Sequence, residues 1–444
     1  MNKLDASEVF TPSSPATYTF VERHSLNSLL VDSLRTRGKQ LIIYGHTGTG
    51  KTTLLNNKLN QIYEDFVVSR CTSDMTFHQL VLNAFDDLGK FIISSRTLAK
   101  EVSSNFNIAS EFKIIQGSIN SSNSSRSSEE LKPIVPSQLT PQKLASFFGT
   151  LRACWVIDDF HKMPIAEKRH LAQWMKVFVD ESVNYSTVKI IVIGAVGSAK
   201  EVIELDHELN NRVTEILVPF MSEDELKGII YNGELKLNIQ IDSDVIEKIS
   251  KLSTGVPAVT HQLCLNLCHS KNIYETSDYV ITFDNKDFQE ALNNYIHQNS
   301  GYLRSRYEMA TSEQSTSTIP IYYHLIRAFI RSKKRNLNIA DFIKYFKEHQ
   351  HPQSEIILQY LLDQLTTEKK GKAISYEEDS NSWFISDPFF KVYCACAIDL
   401  SKTVIKAQGE LFDSETIEKS KVRFKEQDKE LVRRALASGE YFDF

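Results

Sequence analysis

Leu41-Ile42-Ile43-Tyr44-Gly45-His46-Thr47-Gly48-Thr49-Gly50-Lys51-Thr52 runs from a short apolar segment into a glycine-rich loop, with helix-forming residues after it. The last eight positions fit G-x-x-x-x-G-K-[ST] throughout. The spacing has a mechanical reason: glycines let the backbone curl until successive N–H groups face one point, and the following helix adds positive potential there. A triphosphate suits such a cradle, with Lys51 reaching the β- and γ-phosphates and the Thr52 hydroxyl on magnesium. The expected contact set is Gly45, His46, Thr47, Gly48, Thr49, Gly50, Lys51, Thr52 and Thr53. ATP and Mg2+ are the expected ligands, and in an empty loop Lys51 is expected to face solvent. The competing reading is a glycine turn with a solvated lysine, which leaves the flanking strand and helix unexplained.

Cys154-Trp155-Val156-Ile157-Asp158-Asp159 is four apolar residues ending in two carboxylates. A carboxylate at the end of the strand beside a phosphate loop can hold magnesium through its water shell. That role falls to Asp158. Asp159 is then the water-polarising base, one methylene shorter than the glutamate more common there. Alternatively, one of the two caps the helix expected from Ile165. His161 either links nucleotide state to the neighbouring strand or is an ordinary surface histidine.

Outward from these motifs, strands and helices alternate. Asp65–Cys71 and Val188–Ile193 read as strands, Phe77–Ile93 and Ile165–Val179 as helices. The alternation implies an α/β fold, a parallel P-loop sheet with helices on both faces, over residues 1–220. Ser222 opens a helix with an acidic first turn (SEDELKGII), and the pattern stays mostly helical to about Ala310, as a lid over 221–310. Three helical segments, Ile321–Ile330, Ile339–Phe346 and Glu355–Leu365, then precede a hairpin of Ile374–Tyr376 and Trp383–Ile385. That is a winged-helix pattern over 319–400, reached through the polar linker Thr311–Thr318.

Two stretches fall outside this order. Residues 94–138 form an insertion that alternates apolar and polar at Phe106, Ile108, Phe112 and Ile114 before turning Ser/Asn-rich over Ser118–Ser128. The tract is expected to be flexible. The alternating part reads either as a hairpin that docks a partner or as a local edge strand. In the C-terminal segment 401–444, Ser414–Ala437 is a charged helix with a narrow apolar stripe at Ile417, Phe424 and Leu431, suited to one partner surface.

The chain has 444 residues, 41% hydrophobic and 24% charged, which is ordinary for globular proteins and long enough for two or three domains. A net charge of -5 argues against a chain that coats nucleic acid. No run approaches a membrane span, and Met1–Glu8 lacks the apolar core of a secretory signal, so no membrane partner is expected and the expected compartment is the cytoplasm. Cys264/Cys268 and Cys394/Cys396 lie in apolar stretches without a second half at zinc spacing; core packing is expected rather than a metal.

With both motifs in place, residues 18–400 resemble AAA+ ATPases of the origin-recognition/STAND branch. Thr19-Phe20-Val21-Glu22-Arg23 is similar to the F-x-x-R box that lies near the adenine in that branch. Asp158-Asp159-Phe160-His161 is similar to its D-E-x-H strand end. Asn211-Arg212-Val213-Thr214-Glu215-Ile216 is similar to the segment carrying its subunit-bridging arginine. The resemblance makes Arg212 an arginine-finger candidate acting in trans; the alternative is a salt bridge to Glu208 or Glu215. Two departures stand out. Val188–Ile193 ends in Gly194-Ala195 without a polar sensor, and Gly255-Val256-Pro257 in the lid resembles a STAND G-x-P element and carries no sensor arginine.

Both departures favour slow hydrolysis and a nucleotide-gated switch that sets oligomerisation or partner control, of the sort found in bacterial antiphage systems. The implied partners are other copies of the chain and a separate protein effector or target. The alternatives are a DNA-loading ATPase of replication or transposition, or a scaffold that binds nucleotide without turnover. For DNA, the third winged-helix segment, Ser354–Leu365, carries no basic residue. Arg331-Ser332-Lys333-Lys334-Arg335 falls in a loop instead.

Overall fold

The computed structural model describes residues 3–63, 65–98, 139–195, 207–299, 301–312, 320–378 and 380–408. They form two compact units: Ser13–Met221, and Met1–Pro12 together with Ser222–Phe444. The expectations for 99–138, for most of the Thr311–Thr318 linker and for Ser414–Ala437 fall outside the described residues.

The chain opens with one helical turn, α1 (Ala6–Val9), capped by the Asp5 side chain. In the Ser13–Met221 unit, α2 (His24–Arg35), β1 (Gln40–Tyr44) and α3 (Lys51–Ile62) come first. β2 (Asp65–Arg70), α4 (Phe77–Leu98), α5 (Pro141–Thr150), β3 (Ala153–Asp158), α6 (Ile165–Glu181), β4 (Ile190–Gly194) and β5 (Val213–Leu217) follow. The five strands form one sheet in the order β2-β3-β4-β1-β5, with every pairing parallel.

The near-continuous apolar strands are explained by burial on both faces. Ile42, Trp155, Ile157, Ile190 and Val192 point into one core with Phe85, Phe147 and Phe178. Leu41, Ile43, Cys154, Val156, Ile191 and Ile193 point into the other, with Leu30, Leu55 and Leu59. The Trp155 indole, fully buried, donates from Nε1 to Ser69 Oγ at 2.9 Å, so its one polar atom is satisfied.

Two boundaries and one strand adjacency differ from expectation. α4 continues to Leu98, beyond the expected start of the insertion. The strand expected over 188–193 begins at Ile190, where a partner becomes available: Trp155 pairs with Ile190 and Leu41 with Ile191. The strand ending in Asp158 is not next to β1, because β4 lies between them.

The second unit begins with α7 (Glu223–Leu237), held by a capping box between Ser222 and Glu225. β6 (Ile239–Ile241), α8 (Ser243–Leu252), α9 (Pro257–Ser270), β7 (Ile281–Phe283) and α10 (Asn285–Gln298) follow. The short β6 and β7 pair in parallel, a sheet the helical reading of this region did not include. After α11 (Tyr302–Thr311) come α12 (Ile321–Arg331), α13 (Ile339–Glu348) and α14 (Glu355–Leu365). β8 (Ser375–Glu377) and β9 (Ser382–Phe384) form the expected antiparallel hairpin, and a further bridge joins Leu337 to Trp383. α15 (Pro388–Gln408) runs past the boundary expected at 400. All six cysteines are buried, unpaired thiols.

Residues 1–12, expected with the sheet, belong to this second unit. Ala6 N–H donates to Tyr274 O at 2.8 Å, Thr276 N–H to Leu4 O at 2.9 Å, and Val9 and Phe10 are wholly buried. A methyl group on Gly233 would meet the Phe10 ring at 2.1 Å, so only glycine admits this strap. Thr11 N–H donates to His261 Nδ1 at 3.1 Å, which requires that nitrogen to be unprotonated. Burial pushes the His261 pKa down to about 4 from 6.5. The folded state therefore favours the neutral ring: the stability it contributes is present above pH 6.5 and is lost as pH falls toward 4. We expect a loss of up to about 3 kcal/mol across that window. Denaturant titrations at stepped pH check this, and a His261→Gln variant with an unchanged pH slope would contradict it.

Candidate functional site

The glycine loop sits at the carboxyl end of β1, where an open parallel sheet leaves a crevice. Gly50 adopts φ 85, a left-handed conformation, to turn the chain into α3. At Gly45 a Cβ would lie 2.4 Å from Val218 O, so the backbone of β5's exit packs where a side chain would otherwise be. Thr49 is nearly buried, and its hydroxyl donates to His46 O at 2.9 Å, drawing His46–Thr49 into a closed turn. Thr52 and Thr53 lie in the first turn of α3, whose amino end points back at the loop.

Lys51 departs from expectation. It is half-buried, and its Nζ donates to Gly45 O at 2.9 Å and His46 O at 2.8 Å, folding the side chain over the loop. Burial pulls its pKa below the ordinary lysine value, and Asp158 and Asp159 oppose that shift. Both carboxylates thus lie within electrostatic reach of the ammonium although β4 separates their strand from β1.

Asp158 ends β3 half-buried and accepts the Asp159 N–H at 2.8 Å. Burial raises its pKa, and Arg70 and Lys51 pull against the rise. A cation would do the same more strongly. Asp158 and Thr52 line one cavity of about 590 Å3, with Asn56, Arg70, Asn83 and Asp86. A helix-start hydroxyl and a strand-end carboxylate facing one space is a hard-oxygen donor pair that fits Mg2+. Arg70 closes β2 in register with Asp158 and carried no role in the sequence analysis. The sequence signals only a charged residue closing an apolar strand, since its acidic neighbour Asp158 comes from another strand.

Asp159 does not cap the helix from Ile165, whose N-cap is Pro164. It adopts φ 58, ψ 28 and precedes the short 3-10 turn Phe160–Lys162. Its Oδ2 accepts from Lys162 Nζ at 2.6 Å. Both side chains are more than two-fifths exposed, 48% and 41%, so the ion pair is weak, about 0–1 kcal/mol, and opens readily. His161 is half-buried with Nδ1 unpaired among the described residues, and burial lowers its pKa.

Arg212 lies at the other end of the sheet. Its carbonyl accepts from Gln40 N–H at 2.9 Å, where β1 begins, so the length of β1, about 16 Å, separates it from the loop of its own chain. Its guanidinium meets neither Glu208 nor Glu215 but Asp180 Oδ1, at 3.4 Å in an exposed pair. Arg23 of the F-x-x-R box donates to Pro219 O at 3.1 Å and Phe220 O at 3.3 Å. The Phe220 ring stacks on His46 with centroids 5.0 Å apart.

Residues 35–202 match the family model described as AAA domain. A Walker-type ATPase of Pyrococcus abyssi has a similar fold, with a TM-score of 0.50 at 16% identity over 87% of this chain and 99% of that one. Weaker likenesses include the ORC2 protein of Aeropyrum pernix (TM-score 0.45, 11% identity, 89% and 98% covered). Another is a STAND protein with a tetratricopeptide-repeat sensor from Pyrococcus horikoshii (TM-score 0.38, 16% identity, 95% and 53% covered). No curated protein matches the sequence. Residues 35–202 thus match an AAA domain, and they lie on a five-stranded parallel sheet of the P-loop form.

Proposed function

We propose that this AAA-domain chain binds ATP with Mg2+ and hydrolyses it slowly, as a nucleotide-gated switch of the origin-recognition/STAND type. The observation that carries the reading is the shared cavity of Thr52 and Asp158 beside the closed glycine loop. Lys51 would leave the Gly45 and His46 carbonyls for the β- and γ-phosphates, exchanging neutral acceptors for charged ones. Thr52 and Asp158 would hold magnesium, which when bound would supply charge neutralisation at the phosphates. Asp159 orients the attacking water once Lys162 is displaced. The F-x-x-R box contributes to the nucleotide side of the loop through Arg23, Phe220 and His46.

Slow turnover is supported by the lid element. Thr254 and Gly255 adopt φ 46 and φ 85, Val256 caps α9 and Pro257 is its first residue, with no arginine in the turn. We read the switch as serving self-assembly or control of a separate effector, with antiphage defence as the setting and the cytoplasm as the compartment. The α12–α14 helices and the β8–β9 hairpin support a winged-helix module. A DNA-loading role gains little from α14, which is free of basic residues, while Lys334 is paired with Asp341 at 2.6 Å.

The test of the shared site uses Arg212. Its exposed pair with Asp180 is weak enough to be given up at a subunit boundary. Arg212→Ala is expected to lower hydrolysis while nucleotide binding by an isolated subunit stays intact. Mixing it with Lys51→Ala should partly restore activity, because some interfaces then join an intact loop to an intact arginine. Sedimentation with a slowly hydrolysed ATP analogue should show a larger particle than without it. A monomer in both conditions, with activity independent of protein concentration, would exclude the shared site. Absence of turnover in every assembly state would favour the non-hydrolysing scaffold.

A further inference from the structure

His324, Arg327 and Arg331 lie at i, i+3 and i+7 along one side of α12. Facing them from α13 and the turn after it are Tyr345, His349 and His351. Their contacts are direct: the His324 and His351 rings are 5.5 Å apart, and Tyr345 stacks on His349 at 4.0 Å. His349 Nδ1 donates to Tyr345 O at 2.8 Å, which leaves Nε2 as an acceptor for Arg331 Nη1 at 3.4 Å. A neutral histidine thus holds one guanidinium in place.

Among the described residues the cluster has no counter-charge. Among the described residues neither Arg327 nor Arg331 makes an ion pair. The acids of α13 are engaged elsewhere, Asp341 with Lys334 at 2.6 Å and Glu348 with Lys344 at 3.9 Å. Three polar atoms of the same group, His324 Nδ1, Arg327 Nε and the Tyr345 hydroxyl, are buried without a hydrogen-bond partner among the described residues. Each such group left unpaired costs about 1–3 kcal/mol. Burial and then the neighbouring His351, Arg327, His349 and Arg331 push the His324 pKa down to about 4. The group therefore holds two guanidinium charges side by side with neutral histidines, and more donors than acceptors.

We infer that this face of α12 and α13 is a binding site for a phosphate-class oxyanion. A tetrahedral oxyanion accepts several hydrogen bonds at once and carries the missing charge, and guanidinium groups suit it in both geometry and hydration. The site is independent of the glycine loop and of the α14 face that a winged helix would turn toward DNA.

The experiment is calorimetric titration of the full chain with inorganic phosphate at constant ionic strength, in a Lys51→Ala background so that the glycine loop contributes nothing. Arg327→Gln is expected to weaken phosphate binding about tenfold or more, and Arg327→Lys less. Tyr345→Phe, which removes only the hydroxyl and keeps the ring stack, should weaken it severalfold. Phosphate should also raise the His324 pKa followed by NMR, since bound charge offsets its cationic neighbours. Displacement of phosphate by ADP would identify a free nucleotide as the source, and displacement by a short DNA duplex a backbone phosphate. Phosphate binding no better than chloride, or equal in the parent and Arg327→Gln and Tyr345→Phe chains, would overturn the inference. So would a His324 pKa that phosphate leaves unmoved.

Discussion

Lys51→Ala should weaken ATP binding about ten- to a hundredfold, the worth of hydrogen bonds from a cation to charged oxygens. Its side chain bonds two loop carbonyls, Gly45 O and His46 O, and neither belongs to the sheet core. The variant should therefore stay folded while its loop becomes less ordered. Isothermal titration with Mg-ATP, beside a melting curve, separates the two effects. Unchanged affinity would remove the central reading, since no other side chain of the same subunit is assigned to bond the terminal phosphates directly.

Asp159→Asn should abolish most hydrolysis, by about a hundredfold or more, and leave nucleotide bound. The substitution is conservative for the backbone: Asp159 sits at φ 58, where asparagine and aspartate are the best tolerated non-glycine residues. The same geometry rationalises the shorter acid, because a glutamate would fit this left-handed corner less well. Asp158→Asn should differ in kind by impairing magnesium-dependent binding itself, since Asp158 and Thr52 face one cavity and Asp159 lies outside it. Single-turnover rates and Mg-dependent affinities for the two variants distinguish the roles. Turnover at the parent rate in Asp159→Asn would reassign the base.

Most of the sheet was legible because two-sided burial writes β1, β3 and β4 as unbroken apolar runs, and because the glycine loop and Asp158-Asp159 mark two strand ends. β5, just after Arg212, is not legible as a strand. Val213-Thr214-Glu215-Ile216-Leu217 is an edge strand with Glu215 and Leu217 exposed, so it shows no continuous run. β6 and β7 are three residues each, too short for periodicity to register. Arg70 escaped notice because its meaning lies in register with a residue 88 positions away, Asp158. The α12–α13 cation cluster is scattered over 324–351 and becomes a site only when two helices meet.

The strap formed by the first twelve residues makes its unit discontinuous: one part precedes the sheet unit in sequence and the rest follows it. The Thr11–His261 bond spans 250 positions, a long loop to close. During synthesis the sheet unit emerges whole and can fold as a contiguous block, while Val9 and Phe10 wait, unburied, for α7 and α9 to leave the ribosome. The helical unit is thus the later one to mature. Extensions placed before Met1 would perturb that unit first, although the chain that follows the strap directly is the glycine-loop sheet.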